Sequence, residues 1–487
     1  MTPLASRLSA LALLAFLVGS AGAQHVLTTV PTGRGPTAAL YDSIDHKLFV
    51  ANRGSATVSV IDPNSNVVTA TIPVGAGPNA MCWSTTSNKL FVACAPVTGN
   101  GWVYVINAAT NQVIASVVVS LNPSALAWCE SRNKVYCLNS SPSGPISVLG
   151  GADFDSPLVT RNSQLVTRNS QLEKDVPIIP IPGQTPNAII YNPTSDRVYV
   201  SSAAYMQLGK VWVINPTNDN VEATVTCGYN AWDLEVNPTS NRVYCSSRGS
   251  SMVSVVGCST NQRIGDLTTS GEPHPVCWIP ADKLFIGEYW NHTVAFLHGE
   301  SLSVSGRFPI SGSPGPMVYL PTTQKLFVAN YLSNKVSACD ARDGHEGVIV
   351  DLDVGSGPLG LAVYPDLKRV YVANSWDTMV TVIADELPAA VSDSSPHSSL
   401  LTPPSSLIAS ARALPNPCPA GHAIRFEATG FTPSALTVRD AVGQLVHSSF
   451  ELRASSFRLD PKSMPAGVYF CSLTDGRQTA TCRVAVR

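Results

Sequence analysis

Apolar letters along this chain fall in short runs rich in Val, Ile and aromatics, each closed off by Gly, Pro, Asn or Asp. Runs punctuated in this way predict β-strands. They come in sets of four, as in NAMCW, KLFVAC, WVYVIN and VIASVVV between residues 79 and 119. The second run is apolar on both faces, the pattern of a strand shut between neighbours on either side. The polar letters just before it, STTSN here and NPTSD before Arg197, predict a hairpin turn.

The second run is also a repeated phrase. KLFVAN stands at Lys47–Asn52 and again at Lys325–Asn330, and variants begin at Lys89, Lys134, Arg197, Arg242, Lys283 and Arg369. The intervals between the leading basic residues are 42, 45, 63, 45, 41, 42 and 44. A period near forty with four strands per unit is that of a β-propeller, in which one thin sheet cannot bury its own faces and must stack on the next. The long interval holds LVTRNSQLVTRNSQ at residues 158–171, a tandem polar insertion. The eighth set lacks a fourth strand, whereas HVLTTVPTG at residues 25–33 is a fourth strand without partners. We therefore expect an all-β, eight-bladed propeller over residues 24–385, closed by the N-terminal strand, or seven blades if the degenerate third copy, SGPISVLG onward, does not form.

The flanks differ in character. Residues 1–23 carry Arg7, an apolar run over 8–18 and the small residues Ala21, Gly22 and Ala23, which predicts an export signal peptide. The apolar run is too short to span a bilayer, and no later one is apolar enough, so no transmembrane segment is expected. Residues 386–410 are Ser- and Pro-rich and predict a linker; residues 411–487 show short alternating strands with Gly and Pro turns, the pattern of a small Ig-like β-sandwich.

Segments such as YVAN, VSVID and VGAGP resemble the YVTN-type propeller repeats of secreted surface-layer proteins over roughly residues 24–385. Departures are residues 227–231, which lack the GxxP turn, and EYWNHT, which replaces the usual AN ending in the sixth copy. The resemblance implies the fold and, more weakly, a binding or surface role. In the tail, PNP near Pro415, VRDAVGQLV and PAGVYF resemble the C-terminal sorting domain of type IX secretion substrates. That similarity implies the type IX machinery as a partner and an extracellular or outer-membrane-surface destination in a Gram-negative bacterium. The other reading of the tail is an ordinary Ig-like accessory module.

Charge separates the two parts: residues 24–385 hold 21 basic and 26 acidic side chains, a net of −5, and residues 411–487 hold nine and five, a net of +4. Without a basic stripe to neutralise phosphates, nucleic acid is not an expected partner. The twelve cysteines show no CxxC, no haem-attachment motif and no zinc-finger spacing, and most of the nine in the propeller replace apolar letters. Cys471 and Cys482 flank the turn at Asp475 and Gly476, where a four-residue loop would set them opposite each other as a disulfide candidate, leaving Cys418 over.

No nucleophile elbow, phosphate-binding loop or HExxH is present, so no catalytic residue, cofactor or metal is assigned. The loops entering a first strand and leaving a second strand lie on one rim of a propeller. In the sixth copy they are SGEPHP and GEYWNHT, which would gather Glu272, His274, Glu288, Tyr289, Trp290 and His292. Other loops of that rim add Arg53, Tyr205, Trp232, Arg248, Tyr331, Trp376 and Asp377. Aromatics with scattered polar groups suit glycan, peptide or protein binding. The sequence thus favours a secreted recognition protein, and its alternative is an extracellular propeller enzyme, a lactonase-like hydrolase or a lyase, with a metal-assisted site in the sixth copy.

Overall fold

The computed structural model describes residues 24–150 and 176–385, together with the backbone of seven strands between 410 and 486. The expected signal peptide, the tandem insertion and residues 386–409 of the expected linker lie outside the described residues. The chain divides into two compact units, residues 1–391 and 392–487.

The first unit is an eight-bladed β-propeller. Each blade is a four-stranded antiparallel sheet whose strands follow in sequence from the inside out, as in Pro36–Asp42, Lys47–Asn52, Thr57–Asp62 and Val67–Pro73. The eighth sheet is the exception: Gln24–Pro31 pairs antiparallel with Met379–Asp385, matching Gln24 to Asp385 and Pro31 to Met379. The N-terminal strand thus closes the ring. The third copy forms a blade too, although its outer strand is only Ile178–Ile179. Each innermost strand packs on the next, and that of the eighth blade packs on that of the first.

The core lies between blades. Eight clusters of buried apolar side chains each join two consecutive sheets. One of them joins Tyr371 and Val382 of blade 8 to Leu48 and Ile61 of blade 1 across the closure. Ordering a residue costs about 1–2 kcal/mol of backbone entropy, so a sheet with no neighbour to bury against does not recover its cost.

The repeated phrase now has a physical account. Its leading basic residue reaches the neighbouring blade: Lys47 Nζ donates to the carbonyls of Ala108 (2.8 Å) and Ala109 (3.0 Å), Lys134 pairs with Asp219 (2.8 Å), and Arg242 pairs with Glu300 (2.8 Å). Lys283 is wholly buried, donates to the Ala341 carbonyl at 2.8 Å and pairs with Glu346 at 2.5 Å. Arg197 differs, pairing with Glu222 of its own blade. Tyrosines inside the phrase add to these ties, Tyr136 Oη donating to Asp219 at 2.7 Å and Tyr371 Oη to Asn66 Oδ1 at 3.0 Å. The residue before the phrase is always left-handed, from His46 (φ 53°) and Asn88 (φ 49°) to Lys368 (φ 50°). Asn and Asp, which tolerate that region best among side-chain-bearing residues, hold most of those places.

The closing Asn is buried as well. Nδ2 of Asn52, Asn330 and Asn374 donates to Ser59, Ser337 and Thr381 on the third strand. The first Gly of the neighbouring turn lies against it: a Cβ at Gly33 would stand 2.8 Å from Asn52 Cβ, and one at Gly355 2.6 Å from Asn374 Nδ2, while in the second copy Gly75 lies against Cys94, 3.2 Å from its Cβ. In the first and eighth copies the Gly of the turn thus leaves room for the terminal Asn.

In the second unit, Ser410–Leu414, Ile424–Thr429 and Ser456–Leu459 form one antiparallel sheet. Leu445–Phe450, Ala435–Asp440, Gly467–Thr474 and Thr479–Val486 form another. Among the described residues no helix is long and apolar enough to cross a membrane.

Candidate functional site

Loops on one rim are tied in pairs by main-chain bonds. The N–H after the second strand donates to the carbonyl just before the first: Arg53 to Gly35 (2.8 Å), Ala95 to Gly77 (2.9 Å), Arg248 to Asn230 (3.1 Å), Tyr289 to Glu272 (2.9 Å) and Ser375 to Gly357 (2.8 Å). Side chains on these loops therefore start from a fixed backbone.

Between blades 5 and 6 the structure joins several of the expected residues through one guanidinium. Arg248 lies 4.8 Å from the ring centre of Trp232 and 5.7 Å from that of Tyr289, and its Nη2 pairs with Glu272 at 3.1 Å. Trp232 meets His274 edge-on at 5.9 Å, and Tyr289 meets Trp290 edge-on at 5.1 Å. Trp290 itself remains 65% exposed. Burial, and after it the charge of Arg248, pushes His274 down to about 4, so its ring is neutral at neutral pH.

Glu288 and His292 take no part in this assembly. The Glu288 carboxylate is buried and accepts from Ser270 N (2.8 Å), Ser270 Oγ (2.7 Å), Thr293 Oγ1 (2.7 Å) and Arg307 Nε (3.0 Å). Burial alone would raise it, but those bonds hold it below the usual carboxylate range. His292 ends a short 3-10 turn at φ 53° and is exposed, its carbonyl accepting from Ile310 N at 2.9 Å. Glu272, His274, Glu288 and His292 therefore do not converge as a ligand set.

Among the described residues one group has ligand atoms close enough to share an ion: His298, Asp343 and Glu346, within 4.8 Å of one another. It lies on the opposite rim. Lys283 Nζ already stands there, 2.9 Å from Asp343 and 2.5 Å from Glu346. A cation is thus built into the protein at that point, and a metal ion would have to displace it.

Three clefts open on the same rim as the loops. One of about 450 Å³ is lined by Tyr205, which is 91% exposed, with Met206, Tyr229 and Asn187. A second, of about 440 Å³, holds Arg53 with Val97 and Asn122. The third, of about 580 Å³, crosses the seam closed by the N-terminal strand and is lined by Arg34, Ser375, Trp376, Asp377 and Thr378. Trp376 stands 4.8 Å from Tyr331, edge to face.

Sequence reasoning missed Arg34, Asp233 and Glu235. Arg34 occupies the variable slot between Gly33 and Gly35, where the matching turns carry Ala76 and Ser356. Comparing that slot across copies would have found it. Asp233 and Glu235 interrupt an innermost strand, Ala231–Asn237, at positions where most other blades carry small or apolar letters. Asp233 accepts from Val276 N of the next blade at 3.2 Å; burial nevertheless pushes it up to about 6. Glu235 is pushed up to about 8 by burial and then by the charge of Asp233.

Comparison with solved structures finds similarity to Kuenenia stuttgartiensis hydrazine synthase, 18% identical with a TM-score of 0.49, over 72% of this chain and 96% of that one. Dihydro-heme d1 dehydrogenase NirN in complex with DHE is 13% identical with a TM-score of 0.53, over 90% of this chain and 80% of that one. At such identities the likeness concerns the fold alone. No curated protein matches. Residues 413–487 match the family described as the secretion system C-terminal sorting domain, and this tail indicates export by the type IX route toward the cell surface or beyond.

Proposed function

We propose that this is an exported recognition protein whose propeller, of the YVTN type by its YVAN, VSVID and VGAGP segments, engages an extracellular partner through the rim that carries the three clefts. The observation that carries this reading is the uneven exposure of apolar side chains. Among the described residues, the rim loops expose Val97, Leu121, Tyr205, Met206, Trp290, Leu332 and Trp376, whereas the loops of the opposite rim expose Ile44 and Leu302. Each such side chain forgoes about 25 cal/mol per Å² by staying in water, and gathering them on one face is the mark of a surface used for binding.

The opposite rim is occupied with holding blades together through Lys47, Lys134, Arg242, Lys283 and Arg369. These five side chains are committed to the fold. The export tail supports a partner met outside the cell.

The test is a screen of the purified chain on glycan and peptide arrays, alongside Trp290→Ala and Trp376→Ala. Binding by the native chain that is lost in the variants, with thermal unfolding unchanged, is the expected result. A hydrolytic or lyase turnover that survives both substitutions and is lost in His274→Ala would replace recognition by catalysis.

A further inference from the structure

Blade 1 presents two arginines to the rim. Arg34 and Arg53 stand on adjacent loops locked by a reciprocal pair of main-chain bonds, Arg53 N to the Gly35 carbonyl (2.8 Å) and Gly54 N to the Arg34 carbonyl (2.9 Å). Arg34 lines the 580 Å³ cleft toward blade 8 and Arg53 the 440 Å³ cleft toward blade 2. Both side chains are exposed, and among the described residues neither has an ion-pair or hydrogen-bond partner. Arg248, the third arginine of these loops, is by contrast held by Glu272.

The charge around them is sparse. In the described loops of this rim the charged side chains are Arg34, Arg53, Arg248, Glu272 and Asp377. With Arg248 and Glu272 cancelling, blade 1 and its seam keep two guanidiniums against one carboxylate. A domain acidic overall therefore shows a sector in which two arginines outnumber the one loop carboxylate, Asp377.

Beside Arg34 is a flat aromatic surface. Trp376 is 62% exposed, yet it is held: its ring meets Tyr331 at an interplanar angle of 67°, and a Cβ at Gly357 would come within 3.1 Å of the indole. Ser375 N and Trp376 N donate to the carbonyls of Gly357 (2.8 Å) and Ser356 (3.1 Å). The rest of this cleft is Gly35, Gly54, Ser375, Asp377 and Thr378, which bring hydroxyl, carboxylate and main-chain groups beside the indole.

We infer that the blade 1 sector binds an acidic polysaccharide, with Trp376 stacking on the face of a sugar ring and Arg34 and Arg53 each taking an anionic substituent in one of two consecutive clefts. The inference deepens the recognition reading above and rests on it. A guanidinium offers a planar fork that matches carboxylate and sulfate oxygens, and an indole covers the C–H face of a pyranose with little loss of side-chain entropy. Asp377 Oδ1 accepts from Thr378 N at 2.7 Å, which orients the carboxylate beside the platform as an acceptor for sugar hydroxyls. Two charged clefts in series suit a polymer that repeats its charge.

The experiment measures binding of the full chain to polygalacturonate, dextran sulfate, neutral dextran and poly-glutamate, as a function of salt. Expected is salt-sensitive binding to polygalacturonate or dextran sulfate, the stronger of the two identifying carboxylate or sulfate as the anion, and none to dextran. Arg34→Gln with Arg53→Gln, and separately Trp376→Ala, should each weaken it ~10-fold or more, whereas Thr86→Ala in an exposed turn of the opposite rim should not. Arg34→Lys with Arg53→Lys should restore part of the loss, because charge returns without the fork. Equal binding to poly-glutamate, equal binding to dextran, or no binding to either acidic polymer would overturn the inference. A partner found on the arrays and lost in Trp290→Ala would still uphold recognition by the rim.

Discussion

Gln24 Nε2 donates to Asp385 Oδ1 at 2.5 Å, joining the first strand of the ring to the end of its last across 361 positions. The same carboxylate oxygen receives Lys325 Nζ of blade 7 at 2.5 Å. One side chain thus ties the N-terminal strand, the eighth blade and the seventh. Deleting residues 24–31 should expose the edge of Met379–Asp385 and strip the seam cluster of Val30. We expect a lower melting temperature and concentration-dependent aggregation by light scattering. A truncated chain that melts with the intact one would mean that the closure contributes nothing.

Lys283 provides a sharper test of the inter-blade ties. With its ammonium gone, the nearly buried Glu346 carboxylate keeps its charge without its principal partner. Lys283→Ala should cost ~3 kcal/mol in urea unfolding, the range for breaking a buried pair, and Lys283→Met with Glu346→Gln should recover much of it. Equal losses in both variants would locate the cost in packing instead.

The carboxylates of Asp233 and Glu235 set a pH dependence of known sign. Their folded-state values, about 6 and about 8, lie above the ordinary 3.8 and 4.5. Between roughly pH 4 and 8 the native state holds protons that the unfolded chain has released, so stability falls as pH rises through that window. Glu235→Gln should raise the melting temperature at pH 8 by ~2–4 °C and leave it unchanged at pH 4, below both values. A variant that melts lower at pH 8 would show the carboxylate to be stabilising in its ionised form.

Much of this fold is legible in the sequence, because the ring needs its blades to repeat one packing pattern. The phrase from Lys47 to Asn52 is visible since a leading basic residue and a doubly buried strand recur in all eight copies, while the Asn locked to the third strand closes four of them, at Asn52, Asn139, Asn330 and Asn374. The orphan strand at the N-terminus was equally plain. Sites were legible only as far as loop position: the rim places Trp376 and Tyr205 in open clefts, but Glu288 looks like a free ligand until its partners Ser270, Thr293 and Arg307 come in from three separate segments. His274 fails as a free ligand for a related reason, since burial beside Trp232 is a tertiary fact.

In the second unit the hairpin Gly467–Thr474 and Thr479–Val486 sets Cys471 directly opposite Cys482 in register. We expect a disulfide there in exported protein, seen as a linked peptide pair by mass spectrometry after alkylation without reduction. Alkylation of both residues in the unreduced sample would refute it.

Blocking one rim at a time tests recognition by the rim most directly. Thr98 stands exposed in a loop of the cleft-bearing rim and Thr86 in a turn of the opposite rim, both in blade 2. Thr98→Cys and Thr86→Cys, each coupled to a large polyethylene glycol, would be compared with the native chain on the same glycan and peptide arrays. The account predicts that the polymer at position 98 abolishes binding while the polymer at position 86 leaves it intact. Loss from position 86 alone, or binding untouched by either, would contradict it.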